Sequence, residues 1–364
     1  MRPIRLLPLL FLLSYSAAGR ADWPPRWTFG EGWQLAASAS WQYDAVQADV
    51  PGPDLDGDGF RRQRTALTLT APGGTSLKLD YDFATGTWAD LALKFGLGEH
   101  GTLRLGQVKT PMGLEVMTSH RALNLLERSP VSALVPGRRL AVEWARASET
   151  GTLTVAALGD NIDDLARGHG LFARATRNGG VDPAGHRWHL GLAAGAEWPD
   201  GDIRLRARPD VAGLPLVLAD SGLLDGVDRI DRLGVEGAWD RGPVSLQAEH
   251  VALRSTRNDA GDVDGRGSYL AASWRPTGEA RRYRGGVFDT LQPSGSHGAW
   301  EVVARASWLD VDTDAGDRRD GRALSLGLNW YATGSLRLQA QVTEANGDGT
   351  PVDRIHGLRV HYQF

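Results

Sequence analysis

The sequence predicts an all-β fold, a 16-stranded antiparallel transmembrane β-barrel with loops that fold inward. Segments of roughly 9 to 12 residues alternate apolar and polar side chains, which is the period of a β-strand and a length that crosses a bilayer when tilted. Aromatic residues stand at the ends of these segments, as an interfacial girdle requires. Short glycine-rich connections alternate with long polar ones, which is typical of transmembrane barrels.

Residues 1–21 predict a secretory signal peptide. Arg2 and Arg5 precede a short apolar stretch at 6–15, and small residues follow it. About 10 apolar residues, each rising ~1.5 Å, are too few to cross a hydrocarbon core of ~30 Å. A buried N-terminal helix is the alternative. We therefore expect export, and a single barrel domain over residues 22–364.

Strict alternation is clearest in four segments. At 33–43 the odd positions are aromatic or aliphatic, whereas most even positions are polar. The same pattern recurs at 77–83, 300–308 and 336–342. A soluble sandwich would also alternate, with its apolar side chains inward. Strand length, terminal aromatics and the loop pattern favour the reverse orientation, with apolar side chains facing lipid and polar ones facing water.

Sixteen candidate strands follow from this pattern, and an even number lets an antiparallel barrel close around an aqueous channel. They lie at 33–43, 60–70, 75–84, 87–95, 101–109, 139–148, 150–158, 168–177, 187–198, 229–240, 243–254, 265–276, 297–310, 321–332, 335–346 and 353–364. The last strand alternates apolar residues and ends in Phe364, which is typical of barrels in the outer membrane of Gram-negative bacteria. We expect that location, with outer-membrane lipid and lipopolysaccharide around the wall.

Composition excludes several functions. The net charge of −4 argues against non-specific binding of nucleic acid. The absence of cysteine excludes a disulfide scaffold, a cysteine-based zinc site and a cysteine nucleophile. The 40 basic residues are almost all arginine, because only Lys78, Lys94 and Lys109 are lysines. Arginine stays charged at any working pH and binds phosphate or carboxylate through paired hydrogen bonds.

The sequence gives no support for catalysis or for a bound metal. It has nine histidines but neither a Gly-x-Ser-x-Gly elbow nor a His-Glu-x-x-His motif. The segment 54–59 resembles the start of a calcium loop, but its twelfth position is Thr65 where an EF-hand needs glutamate. We expect no catalytic residue, no metal and no cofactor. An outer-membrane enzyme and a non-conducting structural barrel are the rival classes.

Several segments also resemble a known family, the phosphate-selective porins O and P. They are FRRQR at 60–64, KLDYDF at 78–83, RLGQVKTPMGL at 104–114, ERS at 127–129, GAWE at 298–301 and GLNWY at 327–331. The resemblance implies a 16-stranded outer-membrane barrel, usually a homotrimer, in which anions diffuse passively through an arginine-lined pore. The solute stays open between phosphate, polyphosphate and small anions in general.

The connection 199–228 carries Arg204, Arg206 and Arg208 at every second position. In an extended backbone these side chains share one face, about 6.6 Å apart. The family resemblance suggests that this connection folds into the lumen, where the three arginines would form a ladder that guides anions. The alternative is a solvated loop whose arginines pair with neighbouring aspartates.

The connection 110–138 is rich in leucine and valine, so it should pack against something. The barrel lumen is available, and a constriction loop would offer Arg121 and Arg128, flanked by Arg138 and Arg139. Packing on a neighbouring subunit is the alternative. The family often uses lysine in such a loop and this loop has none, so a general anion porin remains open beside a phosphate porin.

Three wall arginines complete the predicted pore lining. Alternation directs Arg62 and Arg64 on the second strand, and Arg305 on a later strand, towards the lumen. For Arg305 the alternative is a salt bridge within the wall, to Glu301 or Asp80. The connection 277–296 carries further arginines and either enters the pore or forms a charged surface.

Overall fold

The computed structural model describes residues 25–51, 54–180, 187–258, 260–348 and 352–364. The predicted signal peptide therefore lies outside the described residues. The strands, in chain order, are β1 (Arg26–Phe29), β2 (Trp33–Asp49), β3 (Leu55–Thr70), β4 (Ser76–Asp82), β5 (Thr87–Gly96), β6 (Thr102–Lys109), β7 (Arg138–Ser148), β8 (Gly151–Leu158), β9 (His169–Gly179), β10 (Arg187–Trp198), β11 (Arg206–Ala207), β12 (Ala219–Asp220), β13 (Val227–Arg241), β14 (Val244–Arg257), β15 (Val263–Trp274), β16 (Tyr283–Arg284), β17 (Val287–Phe288), β18 (Ala299–Asp312), β19 (Arg318–Tyr331), β20 (Leu336–Gly347) and β21 (Val352–Gln363). Short helical turns occur at Gly98–His100, Leu114–Met117, His120–Ala122 and Pro130–Leu134.

Sixteen of these strands form one closed antiparallel wall, which confirms the predicted fold class. The remaining five are β1, which pairs with the start of β2, and two small hairpins made by β11–β12 and β16–β17. Each wall strand pairs with the next, and β2 pairs with both β3 and β21 to close the sheet. At this seam the backbones of Ala39 and Phe364 exchange hydrogen bonds of 3.0 and 3.1 Å. None of the helices in the described ranges is long and apolar enough to cross a bilayer.

The two faces of the wall have opposite chemistry. Outward side chains such as Leu190, Leu192, Leu324 and Leu326 are exposed. Charged side chains on the inner face are buried, and they include Arg62, Glu143, Arg174, Glu236, Arg305 and Arg359. A soluble protein turns its apolar side chains inward, whereas this wall turns them outward. A barrel wall between lipid and an aqueous lumen requires that arrangement.

The ends of the barrel differ in their connections. We name the loop end the one with the long connections 110–137 and 199–226, and the turn end the opposite one. Exposed aromatics encircle both ends, as an interfacial girdle does. At the turn end they are Trp33, Trp188, Trp239, Trp274 and Trp300, and at the loop end they include Phe60, Phe83 and Trp308.

Several strands extend beyond their predicted bounds at the loop end. β2 continues to Asp49 and β3 begins at Leu55, where alternation predicted an end at 43 and a start at 60. Apolar alternation stops where the lipid stops, but backbone pairing continues above it with polar side chains. The sequence pattern therefore marks the lipid-facing part of a strand rather than the whole strand.

The connection 110–137 contacts the inner face of the wall on several strands. Arg337 and Asn329 donate to the backbone oxygens of Leu123 and Asn124, and the backbone N–H of Leu126 donates to Gln341. Glycines on the wall make room for this packing. A Cβ added at Gly327 would lie 2.7 Å from Leu125, and one at Gly357 would lie 2.5 Å from Leu126.

Two further connections pack inside the barrel. Within 199–226, Leu218 approaches the wall so closely that a Cβ at Gly321 would lie 2.4 Å from its side chain. From the turn end, the segment 275–298 reaches the first connection, because Arg281 donates to the backbone oxygen of Ala122 over 3.0 Å. Phe288 packs beside Leu114. Segments from both ends therefore meet in the interior.

Glu127 connects the inward connection 110–137 to both sides of the barrel seam. Its carboxylate accepts from Arg61 and Arg62 on β3 and from Arg359 on β21, at 2.8 to 3.1 Å. Arg359 also binds Asp44 of β2 through two hydrogen bonds of 2.6 Å. Burial alone would raise the pKa of Glu127, but Arg62, Arg61 and Arg359 hold it well below its usual range.

Replacing Arg359 by alanine should lower the free energy of unfolding by about 3–5 kcal/mol, because it leaves buried Asp44 without its partner. Urea unfolding in detergent, followed by the heat-dependent gel shift of folded barrels, measures the change. The matched control is Arg354→Ala on the same strand. Arg354 and Glu344 form an ion pair that is more than half exposed, so its loss should cost about 1 kcal/mol or less. Equal losses in the two variants would contradict the seam's dependence on Arg359.

Replacing Glu127 by glutamine should destabilise the barrel at pH 7 by about 3 kcal/mol, because three arginines lose their shared carboxylate. The folded pKa lies below the unfolded value of about 4.3, so this stabilisation exists above that pH and is lost as the pH falls below it. The difference in the free energy of unfolding between wild type and Glu127→Gln should therefore be smaller at pH 3 than at pH 7 in the same unfolding assay. Glu99→Gln, on an exposed turn, is the control. If this difference in the free energy of unfolding does not change with pH, Glu127 acts through packing alone.

Candidate functional site

A polar cavity of about 690 Å³ lies inside the wall beside the connection 110–137. β3 to β7 form one side of it, and residues 284 and 287–289, from the segment at the turn end, line another side. Its charged lining residues are Arg61, Arg62, Arg64, Lys78, Asp80, Asp82, Asp90, Arg104, Lys109, Arg121, Arg128, Arg138, Arg284 and Asp289. Ten cationic side chains against four aspartates give this lining a formal charge of +6, and Glu127 and Glu143, which pair with Arg61, Arg62 and Arg104 from outside the lining, lower the sum to +4.

Two of these cations, Arg128 and Arg284, keep their charge uncompensated, because neither forms an ion pair with a carboxylate in the described part of the chain. Lys109 and Arg128 donate to backbone oxygens, and both reach that of Thr118, at 2.8 and 2.9 Å. Arg121 donates to the backbone oxygen of Phe364 over 3.0 Å. These bonds fix the side chains of Lys109, Arg121 and Arg128 in place.

Two of the connection's arginines have altered acidity. Burial and the neighbouring Arg62 lower the pKa of Arg128 to about 10. Burial also lowers the pKa of Arg121. Arg128 nevertheless remains protonated at neutral pH, since its pKa lies well above 7. The charge of this residue is therefore permanent under physiological conditions.

Arg62 and Arg64 line the same cavity but are paired. Arg62 binds Glu127 and the side chain of Gln42, whereas Arg64 binds Asp80 through two hydrogen bonds of 3.0 and 2.6 Å. These two arginines thus hold the wall and the inward connection together. The sequence predicted that both face the lumen, and in the structure a carboxylate compensates each of them.

A neutral histidine lies behind Arg64. His120 contacts Arg64 through Nδ1 at 3.1 Å and Ser40 through Nε2 at 2.9 Å, and Ser40 also contacts His361. Burial and the Arg64 guanidinium lower the pKa of His120 well below its usual range. His120 consequently adds no positive charge to the cavity at neutral pH. It acts as a hydrogen-bonding spacer between the connection and the wall.

The three predicted ladder arginines lie elsewhere. Arg204, Arg206 and Arg208 are exposed on one face, while Leu205 and Ala207 between them are buried. Asp220 pairs with Arg204 at 2.6 Å and approaches Arg206 at 3.5 Å. None of the three belongs to the lining of the cavity beside 110–137.

Arg305 requires a correction. Its side chain is 1% exposed and is enclosed by Glu115 and Asp210, so it is not a pore-lining cation. Neither Glu301 nor Asp80, the partners considered from the sequence, contacts it in the described ranges. Glu115 and Asp210 belong to the two long connections, and sequence alternation cannot reveal which residues such connections bring to the wall. Arg305 therefore anchors both connections at once.

The cavity also contains cations that the sequence prediction did not select. Lys78, Arg104 and Lys109 come from β4 and β6, so the lysines of this site belong to the wall rather than to the loop. A signal for Lys78 was present, because its neighbours Leu77 and Leu79 face outward and alternation directs Lys78 inward. In the described ranges no group of three or more histidine, aspartate or glutamate residues could hold a metal ion.

Comparisons with known proteins bear on the fold and the family of this chain. Porin O of Pseudomonas aeruginosa is 26% identical over 348 residues, which cover 82% of this chain and 78% of that protein. Among solved structures, the outer membrane protein OmpT of Vibrio cholerae matches with a TM-score of 0.61 at 9% identity, covering 92% of this chain and 99% of its own. The anion-selective porin from Comamonas acidovorans matches with a TM-score of 0.58 at 12% identity, covering 91% of this chain and 100% of its own. These structural likenesses show the shared barrel fold.

The family comparison covers most of the chain. The sequence profile described as "Phosphate-selective porin O and P" matches residues 35–364, which includes all sixteen wall strands except the first two residues of β2. The chain therefore belongs to the family of phosphate-selective porins O and P.

Proposed function

We propose that this porin conducts anions by passive diffusion through the cationic cavity, and that phosphate is its preferred solute. The observation that carries the proposal is the excess of cationic side chains on the cavity lining, where Arg128 and Arg284 have no carboxylate partner in the described residues. Polyphosphate carries the same phosphate group and is the other candidate solute. In this proposal the connection 110–138 is the constriction loop.

The overall charge of the chain does not oppose this function. Although the chain carries −4, an ion inside a narrow lumen responds to charges within roughly a Debye length, ~10 Å at 0.1 M salt. The cavity combines Lys109, Arg121, Arg128 and Arg284 within one lining. A local positive field of this kind attracts anions and repels cations.

Phosphate fits the cavity better than chloride does. Arginine presents several N–H donors in a plane, and phosphate oxygens accept them in pairs. Arg121 and Arg128 each use some of their donors on backbone oxygens and retain others. Conduction needs binding that is favourable enough to admit the ion and weak enough to release it. Cations already engaged with carbonyls suit such moderate binding.

The connection 199–228 has a separate proposed role. Its exposed Arg204, Arg206 and Arg208 would guide anions at the loop end, before they reach the cavity. Asp220 weakens this guidance because it compensates Arg204 and part of Arg206. We further infer a homotrimer in the outer membrane of a Gram-negative bacterium, surrounded by lipid and lipopolysaccharide, with the turn end towards the periplasm.

Planar-bilayer recordings in a KCl gradient should give a reversal potential on the anion-selective side. Replacing Arg128 by glutamine should lower the anion-to-cation permeability ratio by roughly two- to fivefold, since one unit charge at ~4 Å changes an ion's energy by about 1 kcal/mol in water. Arg146→Gln, on the outer face at the turn end, should leave the ratio unchanged. Cation selectivity in the wild type would refute the proposal.

Phosphate should block the chloride current at roughly millimolar concentration, which corresponds to weak binding. Replacing Arg121 by alanine should change both conductance and block, because Arg121 lines the cavity. Replacing Arg206 by alanine should weaken the phosphate block less than replacing Arg121 does, because Arg206 lies outside that lining. The channel should stay open in this variant. If phosphate and chloride compete equally in the wild type, the protein is a general anion porin.

A further inference from the structure

The outer face of the wall carries a belt of ion pairs near the loop end. Four pairs join Arg229 with Asp231, Arg254 with Asp264, Arg266 with Asp310, and Arg318 with Asp312, at 2.6 to 3.0 Å. The last three join residues directly opposite each other on adjacent strands. The belt therefore spans β13, β14, β15, β18 and β19 on the outer face, with Asp231 of β13 opposite Arg254 of β14.

Two tryptophans indicate where this belt lies relative to the membrane. Trp308 lies one outward position below Asp310 on β18, and the guanidinium of Arg229 stands 5.5 Å from the ring centre of Trp198. Tryptophan collects where hydrocarbon gives way to polar head groups. The belt thus lies at head-group level, above the apolar band of the wall.

A groove of about 660 Å³ opens on the outer face below and between these arginines. Outward side chains of Ala194, Ala196, Leu233 and Ala252 line its lower part, and all four belt arginines line its upper part. Small alanines leave room there that larger neighbours would fill. The groove is therefore apolar towards the hydrocarbon, and paired arginines and aspartates line it towards the head groups.

The belt arginines retain unused donors. Arg266 and Arg318 bind their aspartates through Nε alone among the hydrogen bonds formed in the described ranges. Both side chains are about half exposed or more, so their terminal amino groups are accessible from outside. An anionic head group could accept from them without breaking the existing pairs.

We propose that this groove binds a phosphorylated glycolipid of the outer leaflet, of the lipid A class, with acyl chains over the alanines and phosphate on Arg266 and Arg318. A lipid matches both halves of the groove, whereas the buried core of a subunit interface is depleted in charged residues. The proposal rests on the outer-membrane location but not on the identity of the transported solute.

The test is native mass spectrometry of the delipidated, full-length barrel in detergent, titrated with diphosphoryl lipid A or with the same lipid after removal of both phosphates. We expect one or more diphosphoryl lipid A molecules bound, and much less of the dephosphorylated form. The double variant Arg266→Gln/Arg318→Gln should bind diphosphoryl lipid A at least about tenfold more weakly, because charge-assisted hydrogen bonds are lost. The matched control is Arg146→Gln/Arg177→Gln, which removes two exposed outward arginines at the turn end.

Equal binding of the two lipids, or unchanged binding by Arg266→Gln/Arg318→Gln, would overturn the proposal. A change in subunit number without a change in lipid binding would assign the groove to a second copy of the chain and overturn it as well. The heat-dependent gel shift verifies folding of each variant. Anion current should persist in the double variant, which separates failure of this proposal from failure of the proposed transport function.

Discussion

Closure of the sheet is the constraint on which the rest of the structure depends. Lipid offers no hydrogen-bond partner to an open strand edge, so β2 must pair with β21 as well as β3. Sixteen strands then enclose more space than their own side chains fill. Three inward connections occupy part of that space, and buried ion pairs of Arg359 with Glu127 and of Arg305 with Glu115 and Asp210 hold the two long ones there. The cavity is what remains between wall and connections.

The same residue type serves two purposes inside the barrel, and the partner decides which. Arg305 and Arg359 are surrounded by carboxylates and act as structural ties. Arg128 donates to carbonyl oxygens and keeps its positive charge for the lumen. Counting arginines therefore overstates the charge available to a passing ion. Residues without a carboxylate partner are the better measure of it.

Alternation predicted the sixteen strands because each wall residue must face either lipid or lumen, a constraint that acts locally. It also placed Arg62 and Arg64 on the inner face. It could not place Arg305 correctly, since the partners Glu115 and Asp210 are 190 and 95 residues away in sequence. Nor did it select Lys109, whose role depends on the backbone path of the following connection. Local periodicity reveals the scaffold, whereas the site is built from contacts that are distant along the chain.

The contact between Arg121 and the final residue has a consequence for biogenesis. Arg121 donates to the backbone oxygen of Phe364, and Glu127 of the same connection binds Arg359 on the last strand. These contacts join the connection to the last strand of the wall. The connection can therefore take up this position in the lumen only once β21 has paired with β2 and the wall is closed.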